Sequence, residues 1–432
     1  MSFDWTDETL GDLISRDEAH LQTGPFGTAL KASEYSEDGV PLISVREIRE
    51  GFLQIVKDTP RVCEATTQRL PKFLLQQGDI VFGRKGAVDR NAVISFEQEG
   101  WFLGSDGIRL RLSNKYDSLF FSYLMRSSAT RAWLLQNSEG TTMLSLNQKT
   151  LARVPVRYPT VEIQKRISTQ LRTLDDKITL NIKINQTLEE MAQAIFKSWF
   201  VDFDPVKAKM NGEQPKGMDA ATASLFPEKL VESELGLIPE GWEVKPLDKI
   251  AHFENGLALQ KFRPESEDDD FLPVLKIAQL RQGYCDGKEK ARTDIKESCR
   301  VYNGDMIFSW SGTLMIDLWT GGKAALNQHL FKVTSKDYTL PLYLYWTKHH
   351  LVKFQQIAKD KAVTMGHIKR GHLSESLCVV PPKDLRDKMD EILMPLINQG
   401  LNMRLQSNQL ATLRDTLLPK LLSGEIELVE QS

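Results

Sequence analysis

The sequence predicts an α+β protein made by internal duplication: two mixed α/β units of similar plan, each followed by one long helix. Three observations carry this. Apolar residues between Ile167 and Trp199 recur in alternating steps of three and four. A second series of the same kind lies 222 residues further on. The segment before each series consists of short β-branched runs punctuated by glycine, and the runs recur in the same order.

The first series reads Ile167, Leu171, Leu174, Ile178, Asn181, Asn185, Leu188, Ala192, Ile195, Trp199. That spacing is the heptad seam of a helix packed along one partner helix. The second reads Met389, Leu393, Leu396, Gly400, Met403, Ser407, Leu410, Leu417, Leu421, and the shared register extends back through Met143/Met365, Leu151/Leu373 and Pro159/Pro381. Thr160 is a suitable N-cap for the first helix. Asp204-Pro205 should stop it, since proline lacks the N–H and its ring clashes with the preceding turn. Forty residues at 1.5 Å each give a rod of about 60 Å. Pro395 predicts a kink or break in the second helix, and Gly424 suits its C-terminal end.

Asn181 and Asn185 are polar at consecutive seam positions. A buried amide there costs stability but penalises wrong registers; the two could instead face solvent or bind another chain. The aromatic group Phe196, Trp199, Phe200 and Phe203 exceeds what one partner helix covers. It serves either core packing against the second helix or docking of a separate subunit.

With 432 residues, two or three domains are expected. Charged residues make up 26 % and mean hydropathy is −0.32, and no apolar run reaches the ~20 residues a membrane helix needs. The opening MSFDWTDETLGDL lacks the layout of an export signal. Cys63, Cys285, Cys299 and Cys378 form no Cys-x-x-Cys pair, so neither a zinc site nor a disulfide framework is indicated, and a cytoplasmic location is expected. A formal charge of −3 argues against nonspecific coating of nucleic acid. It leaves room for a reader with local basic groups. Arg300–Glu375 holds ten Lys/Arg against five Asp/Glu, with five of the seven histidines (329, 349, 350, 367, 372).

In order, residues 1–158 form the first globular domain, with strands in PLISVREI, DIVFGRK, NAVISF and IRLRLS. LFFSYLMRSSATRAWLLQNS reads as a helix burying Leu119, Tyr123, Leu124, Trp133 and Leu134. Residues 159–204 form the first long helix. A connector at 205–236 is irregular, with room for one short helix. Residues 237–380 repeat the first domain: PVLKIAQLRQGY answers PLISVREIREGF, and GDMIFSWSG answers GDIVFGRKG. The second long helix occupies 381–424, and 425–432 is a tail.

The sequence offers little for catalysis. The only Pro-Pro, in Val380-Pro381-Pro382-Lys383, lacks the polar and aromatic neighbours that hold a flipped base in amino-methyltransferases. Gly321-Gly322-Lys323-Ala324 lacks the hydroxyl and earlier glycine of a phosphate loop, and no His-Glu-x-x-His or Gly-x-Ser-x-Gly occurs. Candidate DNA contacts are instead the polar tips of the repeated strands. These are Arg84, Lys85, Arg90, Arg109 and Arg111 in the first domain, and Asn327, Gln328, His329, Lys361, His367, Lys369 and Arg370 in the second. Arg and Lys can read guanine or grip phosphate, and Asn or Gln can pair with adenine.

Taken together, LNQKTLARVPVRYPTVEIQKRI (146–167), AIFKSWFVDFDPV (194–206), LGLIPEGWEV (235–244), LNQHLFKV (326–333) and LRDTLLPKLLSGEIEL (413–428) resemble the specificity subunits of Type I restriction–modification systems. The resemblance covers essentially the whole chain, and IPEGWEV and LLPKLLSGEI are its most specific parts. It implies two target-recognition domains on an antiparallel coiled-coil pair, related by a pseudo-twofold axis, that read a bipartite double-stranded DNA target. It implies no catalytic, cofactor or metal residue on this chain and no membrane. Two modification (methyltransferase) subunits would bring S-adenosylmethionine, and restriction subunits would bring ATP and Mg. A coiled-coil adaptor that binds protein only, and a free-standing S-adenosylmethionine-dependent enzyme, are the competing readings.

Overall fold

The computed structural model describes residues 5–140, 143–266, 268–360 and 366–426. The chain divides into two compact units, Met1–Asp176 with Leu410–Ser432, and Lys177–Gln409. Both dividing points fall inside long helices, which run Val161–Phe200 and Lys383–Ser423. Each globular domain is thus one body with the helical segments packed on it.

In the first unit an antiparallel sheet has the order Ala19–Thr23, Gly107–Leu112, Ile80–Gly83, Asn91–Val93. Its strand Ile80–Gly83 is apolar without a break because both of its faces are covered. Ile80 and Phe82 point into a cluster with Phe120, Phe121 and Leu10. Val81, between them, joins Leu42, Ile43, Phe102 and Leu103 on the other side. Those four belong to a smaller sheet, in which Leu42 and Ile43 pair in parallel with Phe102 and Leu103.

The second unit repeats this plan. Its main sheet has the order His252–Asn255, Leu330–Thr334, Met306–Ser309, Met315–Leu318. Met306 and Phe308 face one core and Ile307 the other. The smaller sheet again holds a parallel pair, Val274 and Leu275 with Ala325 and Leu326. In each unit the strand that leads into the long helix, Pro155–Tyr158 or Leu377–Val380, pairs antiparallel with the opening strand, Thr6–Thr9 or Glu243–Pro246.

Several local expectations need correction. The stretch after Tyr116 is two helices, Ser118–Arg126 and Ser128–Asn137, because Ser127 leaves helical geometry and its Oγ accepts from the Thr130 N–H at 3.3 Å. The first long helix ends at Phe200, before the proline. Phe203 then takes the left-handed conformation (φ 57°), and Pro205 sits in the first turn of a new helix, Asp204–Met210, where its missing N–H costs nothing. Pro395 does not break the second long helix, which is assigned continuously across it. The connector is more ordered than expected, with helices Asp204–Met210 and Ala220–Ser224 and a hairpin Leu230–Ser233/Gly236–Pro239.

The aromatic group of the first helix is core. Phe196 contacts Tyr345 and Trp346, Trp199 contacts Phe226, and Phe200 and Phe203 contact Trp242. The second helix joins the same cluster through Leu385, Met389, Leu393 and Ile397.

Candidate nucleic-acid interface and helix seam

Within each unit the two long helices run antiparallel. In the first, Ile167 and Leu171 share a core with Leu418, Leu421 and Leu422, and Leu417 packs on it. Asp175 accepts from Arg414 there at 2.7 Å. In the second, Asn181 reaches Met403, Gln406 and Ser407, and Asn185 lies against Gly400. The remaining seam residues Leu174, Ile178, Leu188, Ile195, Leu396 and Leu410 are half-buried.

Asn181 is 1 % exposed, so it does not face solvent. Its Nδ2 donates to Gln406 Oε1 at 2.8 Å, while among the described residues nothing donates to its Oδ1. An unmet buried carbonyl costs about 1–3 kcal/mol, so the amide is kept at the expense of stability. Gly400 belongs to the same arrangement. A Cβ there would stand 2.5 Å from Asn185 Oδ1, so only glycine leaves the amide its place.

The tips of the main sheets are equivalent in the two units. Leu146 N donates to Arg84 O at 2.8 Å, and Ile368 N donates to Trp310 O at 3.0 Å. Gly86 N reaches Leu144 O, and Gly312 N reaches Gly366 O, both at 2.8 Å. Bridges Lys85–Ser145 and Ser311–His367 complete the match. The side chains on this shared frame differ in kind. In the first unit Arg84 lies 4.4 Å over the exposed Phe26 ring, and Lys85 is exposed, 3.4 Å from Asp106. In the second, Trp310 is flanked by the His329 and His367 rings, with centroids 5.9 and 6.3 Å away. His329 Nδ1 pairs with Ser311 Oγ at 3.1 Å, and Gln328 Nε2 lies 3.4 Å from His329 Nε2.

The other candidates are placed as follows. Arg90 is half-buried on the same turn as Lys85. Arg109 is only 5 % exposed, and its guanidinium meets Lys72 O at 3.2 Å and His20 Nδ1 at 3.3 Å. Burial pulls its pKa below the usual arginine value. Arg111 forms a two-point pair with the buried Asp79 at 2.7 and 2.7 Å. Both sit on the strand Gly107–Leu112 and are held by protein partners, Arg109 buried and Arg111 half-buried. Asn327 is likewise buried, and its Oδ1 accepts from the His329 N–H at 3.2 Å, which shapes the turn. Lys369 and Arg370 are exposed at the start of the helix Arg370–Ser374. Arg370 rests on the Phe331 ring at 5.4 Å and donates to Phe253 O at 3.0 Å. Lys361 lies outside the described residues. Trp310 and Ser311 escaped the sequence reading because it sought charge and amides. Their alignment with Arg84 and Lys85 in GDIVFGRKG and GDMIFSWSG was the available signal.

Among the described residues no helix is long and apolar enough to cross a membrane, and no group of three or more His, Cys, Asp or Glu is disposed to hold a metal ion.

One domain plan repeated within a chain, each copy leading into a long helix and carrying its own set of tip residues, defines a duplicated recognition protein. The Type I restriction modification DNA specificity domain matches residues 4–190 and again 239–410, and the chain belongs to that family. The "Type I restriction enzyme MjaIX specificity subunit" of Methanocaldococcus jannaschii is 25 % identical over 426 residues, which cover 93 % of this chain and 90 % of that protein. The "Type I restriction enzyme HindI specificity subunit" of Haemophilus influenzae is 25 % identical, covering 71 % of this chain and 77 % of that one. The fold is similar to that of the Type I restriction–modification S subunit from M. genitalium, with TM-score 0.55 and 14 % identity over 99 % of this chain and 97 % of that one.

Proposed function

We propose that this chain is the noncatalytic, sequence-reading subunit of a Type I restriction–modification complex. Each unit reads one half of an asymmetric, split double-stranded target, and the paired helices fix the number of base pairs between the halves. Two methyltransferase subunits assemble on it and supply S-adenosylmethionine for adenine-N6 methylation; restriction subunits add ATP- and Mg-dependent translocation and cleavage.

The observation that carries this reading is the pair of equivalent tips with unlike chemistry. A common backbone frame holds Arg84 and Lys85 in one unit and Trp310 and Ser311 in the other. Two copies of one framework with different contact residues suit a target whose halves differ. Guanidinium and ammonium groups favour guanine edges and phosphates, whereas ring, hydroxyl and imidazole groups favour stacking and single hydrogen bonds. Half-sites one helical turn apart lie about 34 Å from each other, a scale that a rod of about 60 Å accommodates. A protein-only adaptor would have no use for two unlike tips.

The test is to combine the purified chain with its cognate methyltransferase subunits and S-adenosylmethionine, and to map methylated adenines across a genome. The reading expects one split motif with unlike halves. Methylation without sequence preference, or methyl transfer by this chain alone, would refute it.

A further inference from the structure

We infer that one short stretch of the second long helix, Met403–Asn408, is a positioning element that holds the target to a single spacer length. It does so by tying helix register to the orientation of the second unit's main sheet. The inference rests on the reading proposed above and assigns the property to particular residues.

Two sets of contacts leave this stretch. Toward the first long helix, Gln406 Oε1 accepts from Asn181 Nδ2 at 2.8 Å, with Ser407 Oγ and Met403 O at 3.4 and 3.5 Å. Toward the sheet, Arg404 grips Asp317 by two parallel bonds of 2.6 Å each, and Asn408 Nδ2 donates to Thr320 O at 3.0 Å. Asp317 lies on the edge strand Met315–Leu318, which pairs directly with Met306–Ser309. That strand runs into Trp310 and Ser311.

The chemistry on both sides is directional. An apolar seam tolerates sliding, because one leucine contact replaces another. The buried Asn181 amide instead needs an acceptor at one height, and a one-turn slip removes Gln406 from it. A guanidinium–carboxylate fork fixes an angle as well as a distance, which a lysine would not. Stability does not explain the amide, since its Oδ1 is unmet among the described residues. Register and sheet angle are thus set within six consecutive residues.

The full chain, co-expressed with its methyltransferase subunits in a host without restriction activity, provides the test. Wild type should methylate targets of one spacer length. Asn181→Leu should melt at the same or a higher temperature. Targets one base pair longer or shorter should then gain methylation, with spacer selectivity falling about tenfold, or ~1.4 kcal/mol. Arg404→Asp and Asp317→Arg should each relax selectivity as well, and the double reversal should restore it. Two results overturn the inference: unchanged spacer selectivity in Asn181→Leu and both single reversals, or a double reversal no better than either single one. A wild-type complex that methylates no split target would instead sink the functional reading itself.

Discussion

Arg414 Nη1 donates to Asp175 Oδ1 at 2.7 Å, while the other oxygen of the same carboxylate accepts from Tyr123 Oη at 2.6 Å. One acid thereby joins both long helices to the helix Ser118–Arg126 within the first unit. Arg126, whose side chain is only 8 % exposed, lies 3.9 Å from it and stacks on the Tyr123 ring at 4.4 Å. Burial lowers the Arg126 pKa from its ordinary value.

Asp175→Ala should therefore destabilise the first unit by about 3 kcal/mol, because it leaves one largely buried and one partly buried guanidinium without their shared acceptor. Asp175→Asn keeps one oxygen and should cost less. Thermal unfolding of the full chain checks both, and equal small effects would show that the carboxylate is dispensable.

The second unit should lose stability below neutrality through His350. Its ring stacks on Trp346 and its Nε2 reaches Leu377 O at 3.1 Å. Burial, reinforced by the neighbouring charges of His349 and Lys353, pushes its pKa down to about 4. The folded state then binds fewer protons than the unfolded one. Stability is full above about pH 6.5, the unfolded value, and falls as pH drops toward 4, by up to roughly 3 kcal/mol. His349, lowered chiefly by burial, adds in the same direction. Denaturant unfolding at several pH values should show this slope, and His350→Gln should flatten most of it.

Charge at the first tip should appear in the salt dependence of DNA binding. Arg84→Ala with Lys85→Ala should weaken binding and lower the slope of log K against log salt by about 2, near one counterion per cation. Lys369→Ala with Arg370→Ala should impair only the half-site read by the second unit. Equal loss at both halves after the second change would indicate folding damage.

The helix pair should act as a ruler. Seven residues inserted after Asp176, with seven more after Gln409, preserve the seam phase and fall where the two units divide. They add about 10 Å of helix, or roughly three base pairs. Methylome mapping should show both half-sites unchanged and the spacer longer. An unaltered spacer would remove the ruler from the proposal.

Periodicity alone made the plan of the fold visible. Seam spacing at Leu171, Leu174 and Ile178, repeated at Leu393 and Leu396, needs only the geometry of a helix with one apolar stripe. The apolar run in DIVFGRK and the alternation in IRLRLS were equally clear, because local residue order decides which side chains share a strand face. Boundaries were less legible. The break at Ser127 and the left-handed Phe203 depend on single caps and turns, and Pro205 was read as a stop when it begins a helix.

Sequence by itself determined the duplication, the two helices and the family, since each is written in order and spacing along the chain. Only the tertiary structure decided what the polar residues do. Arg109, Arg111 and Asn327 looked like ligand-binding groups. Folding buries Arg109 and Asn327 and sets Arg111 beside the buried Asp79, so that each finds a protein partner. Asn181, an interruption in the heptads, gained its meaning only when Gln406, 225 residues away in the chain, came within hydrogen-bonding distance. A side chain's type is local, but its partner is fixed by long-range packing, and that is what separates a free contact from a structural one.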